Sequence, residues 1–477
     1  MSNKKHNKNF VIVIAVIAAT GGLLFGFDTG VISGAIPFLQ KYFSIEDHVI
    51  ETITTAGLIG AILGAILGGQ LADMFGRKKV ILGSAIIFMA GAIWSGMATT
   101  PENLMAARLL LGVAIGVSSF AVPLYIAEIS PTKRRGALVS TFQLLITIGI
   151  LASYLSDLAI ADESNSGCWR MMFYVGVIPA VILLTGMVFL PETPRWLMQK
   201  GRESESRNVL ERIENADMLD SELNQIKAEI EKSKDAASWR EILQPRMRTP
   251  LFIAIALMFF QQCIGINAVI YYSPKIFLMA GFGGNVAAIG ASVAVGVVNV
   301  LATVVSIYFV DRIGRRKLFF IGLSGIAVSL VLLGLGFLFH QNLGNAGKWT
   351  SIVLVLLYIV FFAVSIGPLG WLIVSEIFPQ RVRGLGSSIG SLTVWVSNSI
   401  VTFTFFKIVN ALTFKGTEVL VAGEKIGNPA GAFFIYAVIA CCALIWGYYY
   451  LPETKGVSLE AIENFWRKGG KPRLLNK

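Results

Sequence analysis

The sequence DMFGR at residues 73–77 recurs as DRIGR at residues 311–315. A second pair of segments follows at matching spacing, with EISPTKRRG at residues 128–136 and EIFPQRVRG at residues 376–384. A pattern that is written twice in a long apolar chain predicts two homologous helix bundles. A site between two such bundles can open alternately to either side of a membrane. The repeats therefore favour a transporter.

The composition is typical of a polytopic membrane protein. Of the 477 residues, 55% are hydrophobic and only 14% are charged, whereas roughly 25% are charged in soluble proteins. The mean hydropathy is +0.69. About twelve apolar stretches are long enough to cross a hydrocarbon core of about 30 Å. We therefore predict an all-α membrane protein with twelve transmembrane helices in two six-helix halves.

Charge density divides the predicted chain into four parts. Residues 1–190 form the N-terminal half and residues 250–451 the C-terminal half. Residues 191–249 between them carry dense mixed charge with apolar positions at helical spacing, which predicts cytoplasmic helices that link the halves. Residues 452–477 form a cytoplasmic tail. A linker of about sixty residues is too short to bury the core of a separate catalytic domain.

The distribution of Lys and Arg predicts the orientation. The termini and the even-numbered connections hold about 32 of the 40 Lys and Arg residues, and these residue types are enriched in cytoplasmic loops. Both termini are therefore predicted to be cytoplasmic. The net charge of +11 needs no nucleic-acid partner, because topogenic charge accounts for it and anionic lipid headgroups are the natural neighbours. We expect a monomer.

Groups that could perform enzyme chemistry are scarce. The three histidines, His6, His48 and His340, lie outside the predicted spans or at their ends, which excludes a buried bis-histidine haem or a zinc-protease helix. The four cysteines lack metal-ligand spacing, and the sequence contains no Gly-Lys-Ser/Thr phosphate loop of an ATP-driven pump. We therefore expect no enzyme activity, no cofactor and no metal, and transport that is driven by gradients.

Two ionisable residues lie inside predicted spans. Asp28 is deep in the first span and Arg108 is in the fourth. Each would cost roughly 2.5–3.5 kcal/mol if left alone at the bilayer centre, so we predict that they pair. An aspartate that leaves its arginine in an apolar site is most stable when protonated, so such a pair can couple transport to protons. A static buried ion pair is the alternative.

Polar side chains deep in other spans suggest a neutral, polyhydroxylated cargo. Amides both donate and accept hydrogen bonds, and an indole offers a flat apolar face to a sugar ring. The predicted substrate-binding residues are Gln143, Gln261, Gln262, Asn267, Tyr272, Asn299, Trp371 and Trp395. Each amide alone could instead form an interhelical hydrogen bond.

Two helix breaks are expected in the C-terminal half. At about 100° per residue, an ideal helix cannot present both Gln261 and Asn267 to one cavity, so we expect an unwinding at Gly265. The sequence GPLGW at residues 367–371 interrupts the tenth span, because Pro lacks a backbone donor and Gly weakens a helix. The predicted gate comprises Tyr271, Gly367, Pro368 and Gly370. A fixed kink without motion is the alternative.

The repeated charges predict a cytoplasmic latch that holds the inner side shut. Its predicted members are Asp73, Arg77, Glu128, Arg135, Glu192, Asp311, Arg315, Glu376, Arg383 and Glu453. The positive-inside rule explains part of the arginine content without a latch. It does not explain the acidic residues.

The sequence resembles the sugar porter family of the major facilitator superfamily over essentially its whole length. The motifs that carry the resemblance are residues 73–79 with their repeat at 311–317, PETPR at 191–195, QQCIGIN at 261–267 and PETKG at 452–456. The resemblance is greatest to bacterial galactose–proton, arabinose–proton and xylose–proton symporters. It implies the major facilitator fold, a bacterial inner membrane location and a monosaccharide site at the midplane.

Asp28 separates members within this family, because facilitative carriers usually have asparagine at the position and an amide cannot carry a proton. We therefore predict a proton–monosaccharide symporter. Ile150 and Val394 stand where the xylose-type porter has glutamine, which favours galactose or glucose and leaves a pentose such as xylose or arabinose open. The alternatives are a facilitative carrier and a membrane sugar sensor, which we expect to have a longer signalling tail than residues 452–477.

Overall fold

The computed structural model describes residues 2–131, 135–213, 216–233, 239–339, 344–379, 382–413, 416–421, 424–457 and 459–475. Among these residues, twelve helical segments are long and apolar enough to cross a membrane. This number confirms the predicted all-α membrane architecture. Because the number of spans is even, both chain termini lie on one face of the bundle, here named the terminal face. The other end of the bundle is the opposite face.

The N-terminal half contains six spans within residues 10–189. Its helices are α1 (Ser2–Phe43), α2 (Asp47–Phe75), α3 (Arg77–Met97), α4 (Pro101–Ile129), α5 (Arg135–Ile160), α6 (Trp169–Val175) and α7 (Val177–Phe189). The sixth span is divided between α6 and α7, and a 3-10 turn at Ser166–Cys168 precedes it.

Short helices follow the N-terminal half. They are α8 (Pro194–Gln199), α9 (Glu203–Ile213), α10 (Ala216–Ser233) and α11 (Trp239–Ile242), followed by a 3-10 turn at Pro245–Met247. Helix α9 buries Val209, Leu210 and Ile213 on one face. This spacing is that of a helix with a single apolar stripe.

The C-terminal half contains the other six spans, two of which are broken. Its helices are α12 (Arg248–Cys263), α13 (Ile266–Tyr271), α14 (Ser273–Met279), α15 (Asn285–Ile313), α16 (Arg315–Leu338), α17 (Asn345–Val364), α18 (Ile366–Ile377), α19 (Arg383–Ala411) and α20 (Ala430–Tyr450). The tail adds α21 (Leu459–Arg467) and a 3-10 turn at Pro472–Leu474.

A small hairpin that the sequence does not predict lies between α19 and α20. Strands β1 (Val419–Val421) and β2 (Glu424–Ile426) pair antiparallel, with Val419 opposite Ile426. Three residues per strand carry too little periodicity to be recognised in a sequence.

Small residues set the close packing within the N-terminal half. Helix α1 carries glycines at a spacing of four that face α5, namely Gly22, Gly26, Gly30 and Gly34. A Cβ atom on Gly26 would lie 1.9 Å from the Ile146 carbonyl oxygen. Such small-residue stripes let membrane helices approach closely when no hydrophobic driving force acts between them.

Hydrogen bonds between the two halves cluster at the opposite face. The Tyr154 hydroxyl donates to the Ile270 carbonyl at 2.8 Å. The Val286 N–H donates to the Glu163 carboxylate at 3.1 Å. Further bonds join α2 to α14 and to α19. The halves are therefore closed against each other at the face away from the termini.

Candidate functional site

Asp28 of α1 and Arg108 of α4 form a direct ion pair inside the N-terminal half. The two residues are only 5% and 2% exposed, respectively. Helix α2 leaves room for the guanidinium at Gly57, where an added Cβ would lie 3.2 Å from the Arg108 Nη2 atom. The predicted pairing thus satisfies two charges that the bilayer core would otherwise penalise.

A small cavity adjoins the ion pair and reaches into the C-terminal half. Asp28 and Arg108 line it on one side, and Tyr271 and Trp395 line it on the other. The Trp395 ring also packs against Phe25 of α1, with the ring centroids 5.2 Å apart. One cavity therefore connects the predicted proton pair with a predicted gate residue and a predicted sugar-binding residue.

The seventh span unwinds at Gly265, as the sequence predicts. Helix α12 ends at Cys263 and α13 begins at Ile266, with Gly265 in the left-handed conformation at φ 89°. An added Cβ at Gly265 would lie 2.4 Å from the Tyr436 ring. Only glycine fits this position, because the φ angle and the neighbouring ring both exclude a side chain.

This break brings three predicted sugar-binding amides into one chain of hydrogen bonds. Asn267 donates to the Gln262 Oε1 atom at 2.5 Å, and Gln262 donates to the Gln261 Oε1 atom at 3.1 Å. Gln261 in turn donates to the Ile366 and Gly367 carbonyls at 3.1 and 2.6 Å. The amides are therefore held in place and connected to the tenth span.

The tenth span is broken, but two residues before the predicted position. Ser365 separates α17 from α18 with φ −122° and ψ −103°. Pro368 lies in the first turn of α18, where a missing N–H costs little because it has no intrahelical partner. Gly370 lets α12 approach, since an added Cβ would lie 2.7 Å from the Gln261 Nε2 atom.

Tyr272 departs from the predicted sugar-binding set. It is fully buried, its hydroxyl donates to the Thr402 carbonyl at 2.9 Å, and its ring stacks on Phe405. An ideal helix would put Tyr272 on the same face as Gln261, but the unwinding at Gly265 rotates the residues that follow it. In this arrangement the Tyr272 side chain packs against α19.

The remaining predicted sugar-binding residues lie on three other helices. Gln143 is partly buried on α5, Asn299 is buried on α15, and Trp371 is 42% exposed on α18. Their assignment to the sugar site stays a prediction.

In the N-terminal half, the predicted latch residues form ion pairs and hydrogen bonds with nearby groups on the same side of the molecule. Arg77 contacts Glu128 at 3.0 Å and Asp73 at 3.1 Å. The Thr193 hydroxyl donates to the Glu128 Oε2 atom at 2.7 Å. Glu192 accepts from the Lys78 N–H at 3.1 Å and so caps the start of α3, where a carboxylate satisfies free donors and the helix dipole.

The C-terminal half repeats this network. Arg315 contacts Glu376 at 3.0 Å, and the Thr454 hydroxyl donates to Glu376. Glu453 accepts from the Arg315 and Arg316 N–H groups, both at 3.0 Å, and so caps α16. These bonds join groups within one half, whereas the sequence interpretation placed latch contacts between the halves. The side chains of Arg135, Asp311 and Arg383, also assigned to the latch, lie outside the described residues.

Burial raises the pKa of the Glu192 carboxyl above its ordinary value, while the Thr193 and Lys78 N–H groups and the Arg77 charge oppose that shift. The desolvation of the carboxylate outweighs these partners.

Sequence reasoning missed two groups of residues. Thr193 and Thr454 complete the two networks, and their signal was the repeated PET sequence that contains each capping glutamate. Glu51 and Lys275 connect the halves at the opposite face. The sequence features that could have identified them are the acidic Glu51 at the start of the second span and the basic Lys275 inside an apolar segment.

Replacing Gly265 by alanine should destabilise the protein. The left-handed conformation costs a non-glycine residue roughly 1–2 kcal/mol, and the contact with the Tyr436 ring adds to this cost. Thermal unfolding of the detergent-solubilised protein measures the change. Gly283→Ala is the control, because its Cβ meets nothing within 4 Å. Equal midpoints for the two variants would contradict the prediction.

Removing either cap should lower stability to a similar extent. Glu192→Ala leaves two backbone N–H groups without the carboxylate and Glu453→Ala leaves three, at a cost of roughly 0.5–2 kcal/mol for each variant. The exposed Glu46 provides the control, as Glu46→Ala. The same unfolding assay tests the prediction. A lower unfolding midpoint in only one of the two variants would argue against equivalent caps.

Known proteins match this sequence over almost its whole length. Residues 14–466 match the family described as Sugar (and other) transporter. The chain is 38% identical over 474 residues to the galactose-proton symporter of Escherichia coli (strain K12), covering 99% of this chain and 97% of that protein. It is 40% identical over 452 residues to the glucose transporter GlcP of Staphylococcus epidermidis, covering 94% and 96%. It is 39% identical over 451 residues to the D-xylose transporter of Levilactobacillus brevis, covering 93% of each.

Solved structures of the xylose transporter XylE from E. coli have the same fold. Its partially occluded inward open conformation superposes with a TM-score of 0.79 at 28% identity, covering 94% of this chain and 100% of that chain. XylE bound to 6-bromo-6-deoxy-D-glucose, described as a major facilitator superfamily proton:xylose symporter, gives a TM-score of 0.79 at 30% identity, covering 96% and 100%. The chain is therefore an integral membrane protein that belongs to the Sugar (and other) transporter family and has the major facilitator fold.

Proposed function

We propose that the protein is a proton-coupled monosaccharide symporter that imports a neutral hexose by alternating access. The observation that carries this proposal is the Asp28–Arg108 ion pair, which lines one cavity together with Tyr271 and Trp395. In this proposal Asp28 takes up the proton, and Trp395 on the same cavity wall contacts the sugar. Relatives named as galactose-proton and arabinose-proton symporters support the same assignment.

The amide chain supports a neutral, hydroxylated cargo. Each amide offers two donors and an acceptor oxygen with two lone pairs, and the bonds among Gln261, Gln262 and Asn267 use only part of this capacity. A sugar hydroxyl can extend such a chain, since it both donates and accepts. Trp395 adds an apolar ring face on the cavity wall.

The proposed cycle begins with protonation of Asp28 from the outside, which weakens its pairing with Arg108 and makes the cavity ready for sugar. The sugar then draws in the seventh and tenth spans, whose broken segments are already joined through Gln261. The halves rock about the site and release sugar and proton inside. One proton that moves down 100 mV releases roughly 2.3 kcal/mol, enough for about fifty-fold accumulation at one-to-one stoichiometry.

We further propose a monomer in a bacterial inner membrane with both termini cytoplasmic. The concentration of Lys and Arg on the terminal face supports this orientation. The face at which the halves touch is then the external one, which makes the arrangement described here inward-facing.

The identity of the sugar needs its own experiment. The chain is similarly close to relatives named for galactose, glucose and xylose, at 38–40% identity. Uptake of one labelled hexose in competition with a panel of unlabelled hexoses and pentoses orders the candidates. We expect galactose and glucose to compete more strongly than xylose and arabinose; the reverse order would assign a pentose carrier.

Asp28→Asn should abolish accumulation while exchange of labelled for unlabelled sugar continues, because the amide cannot carry a proton. In vesicles with a pH-sensitive dye inside, galactose or glucose entry should acidify the lumen for the unmodified protein and not for the variant. Asp157→Asn is the matched control, since Asp157 is another fully buried acid of the N-terminal half.

Two outcomes would contradict this assignment. Uptake by the unmodified protein without proton flux and without dependence on a pH gradient would make it a facilitative carrier. Loss of both exchange and accumulation in Asp28→Asn would make Asp28 a structural residue.

Gln262→Ala should weaken sugar binding about tenfold, the effect of losing about 1.4 kcal/mol. One or two hydrogen bonds to a hydroxyl account for such a loss. Titration calorimetry with galactose and glucose measures the change, and the exposed Gln244→Ala serves as the control. An unchanged affinity would remove Gln262 from the sugar site.

A further inference from the structure

We propose that Glu51, together with Gln40, Asp47 and Lys275, forms an inter-half clasp that holds the opposite face shut and sets the balance between the two access states. Glu51 is a positioning residue of the transport cycle. It lies on α2 and is fully buried. Its Oε1 atom accepts hydrogen bonds from the Phe406 and Lys407 N–H groups of α19, at 2.7 and 3.3 Å.

The clasp bonds to backbone groups in the middle of a helix. In a regular helix the Phe406 N–H would donate to the carbonyl of Thr402, four residues earlier. Here the Thr402 carbonyl accepts the Tyr272 hydroxyl at 2.9 Å, and Glu51 accepts from Phe406. Two side chains, one from each half, thus bind backbone groups of the same helical turn.

A second contact of the clasp lies one helical turn away. The Lys275 ammonium of α14 contacts Asp47 of α2 and donates to the Gln40 Oε1 atom of α1 at 3.0 Å. Gln40 also donates to Asp47 at 2.8 Å. Asp47 and Glu51 are four residues apart and therefore lie on the same side of α2.

Both contacts cross from the N-terminal half to the C-terminal half, so both must break when the opposite face opens. Charge-assisted hydrogen bonds to a carboxylate are about twice as strong as neutral ones, and burial strengthens them further. An interaction present in only one of two states shifts the equilibrium toward that state. The clasp therefore favours the state that is open at the terminal face.

The inference rests on alternating access from the proposed function, but its test needs neither sugar nor a proton gradient. Spin labels at Thr99→Cys in the N-terminal half and Gly283→Cys in the C-terminal half report the separation of the halves at the opposite face. Both positions are exposed, and the four native cysteines are replaced by alanine. Double electron–electron resonance then gives the distance distribution in lipid nanodiscs.

Glu51→Ala should raise the ratio of the long-distance to the short-distance population at least tenfold. Glu51→Gln, which retains one acceptor oxygen, should raise it less. Asp157→Asn is the matched control, because it neutralises an equally buried carboxyl that faces Gly34 inside one half. It should leave the ratio unchanged.

The clasp would be overturned if Glu51→Ala and Asp157→Asn gave the same distribution of distances between the spin labels. Should Glu51→Ala fail to elute as a single species, Glu51→Gln and Lys275→Met take its place, and unchanged ratios in both would overturn it equally. A shifted ratio together with proton-independent uptake would retain the clasp and reject proton symport, so the two failures are distinguishable.

Discussion

A charge in the hydrocarbon core of a membrane must be paired or neutralised, and in this protein Asp28 and Arg108 pair with each other. Left alone, each would cost roughly 2.5–3.5 kcal/mol at the bilayer centre. The pairing determines the packing around it: α1 and α4 must lie side by side, and α2 must present Gly57 where the guanidinium passes. The small cavity that remains beside the pair is also lined by Tyr271 and Trp395 of the other half.

The internal repeat explains the framework but not the site. Each half caps one helix with a PET glutamate, Glu192 or Glu453, and completes an arginine–glutamate pair with the following threonine. These networks brace each half separately at the terminal face, so a half can move as a unit without losing its own contacts. The ion pair belongs to the N-terminal half alone, and the amide chain to the C-terminal half alone. The residues proposed for proton coupling and for sugar binding therefore lie at positions that the repeat does not duplicate.

Hydropathy and helical geometry predicted most of the architecture. Twelve spans follow from the length of apolar stretches, and the unwinding at Gly265 follows from the angle between Gln261 and Asn267. Contacts that depend on a partner far along the chain were not predictable. The break at Ser365 precedes the Gly367-Pro368 pair because the first turn of α18 tolerates a proline. The Tyr272 hydroxyl donates to the Thr402 carbonyl, a partner 130 residues away along the chain.

The ion pair and the clasp are spatially separate but share two elements. Helix α1 runs without interruption from Asp28 to Gln40, and the segment from Tyr271 to Lys275 links the cavity wall to the clasp. Packed helical segments transmit displacement because close-packed interiors resist compression. In the proposed cycle, a change of charge at Asp28 and the release of Lys275 thus act on the same two elements. Coupling between a proton and a gate requires a shared element whose two positions both sites bias. Helix α1 is the candidate for that element, because it carries Asp28 of the ion pair and Gln40 of the clasp.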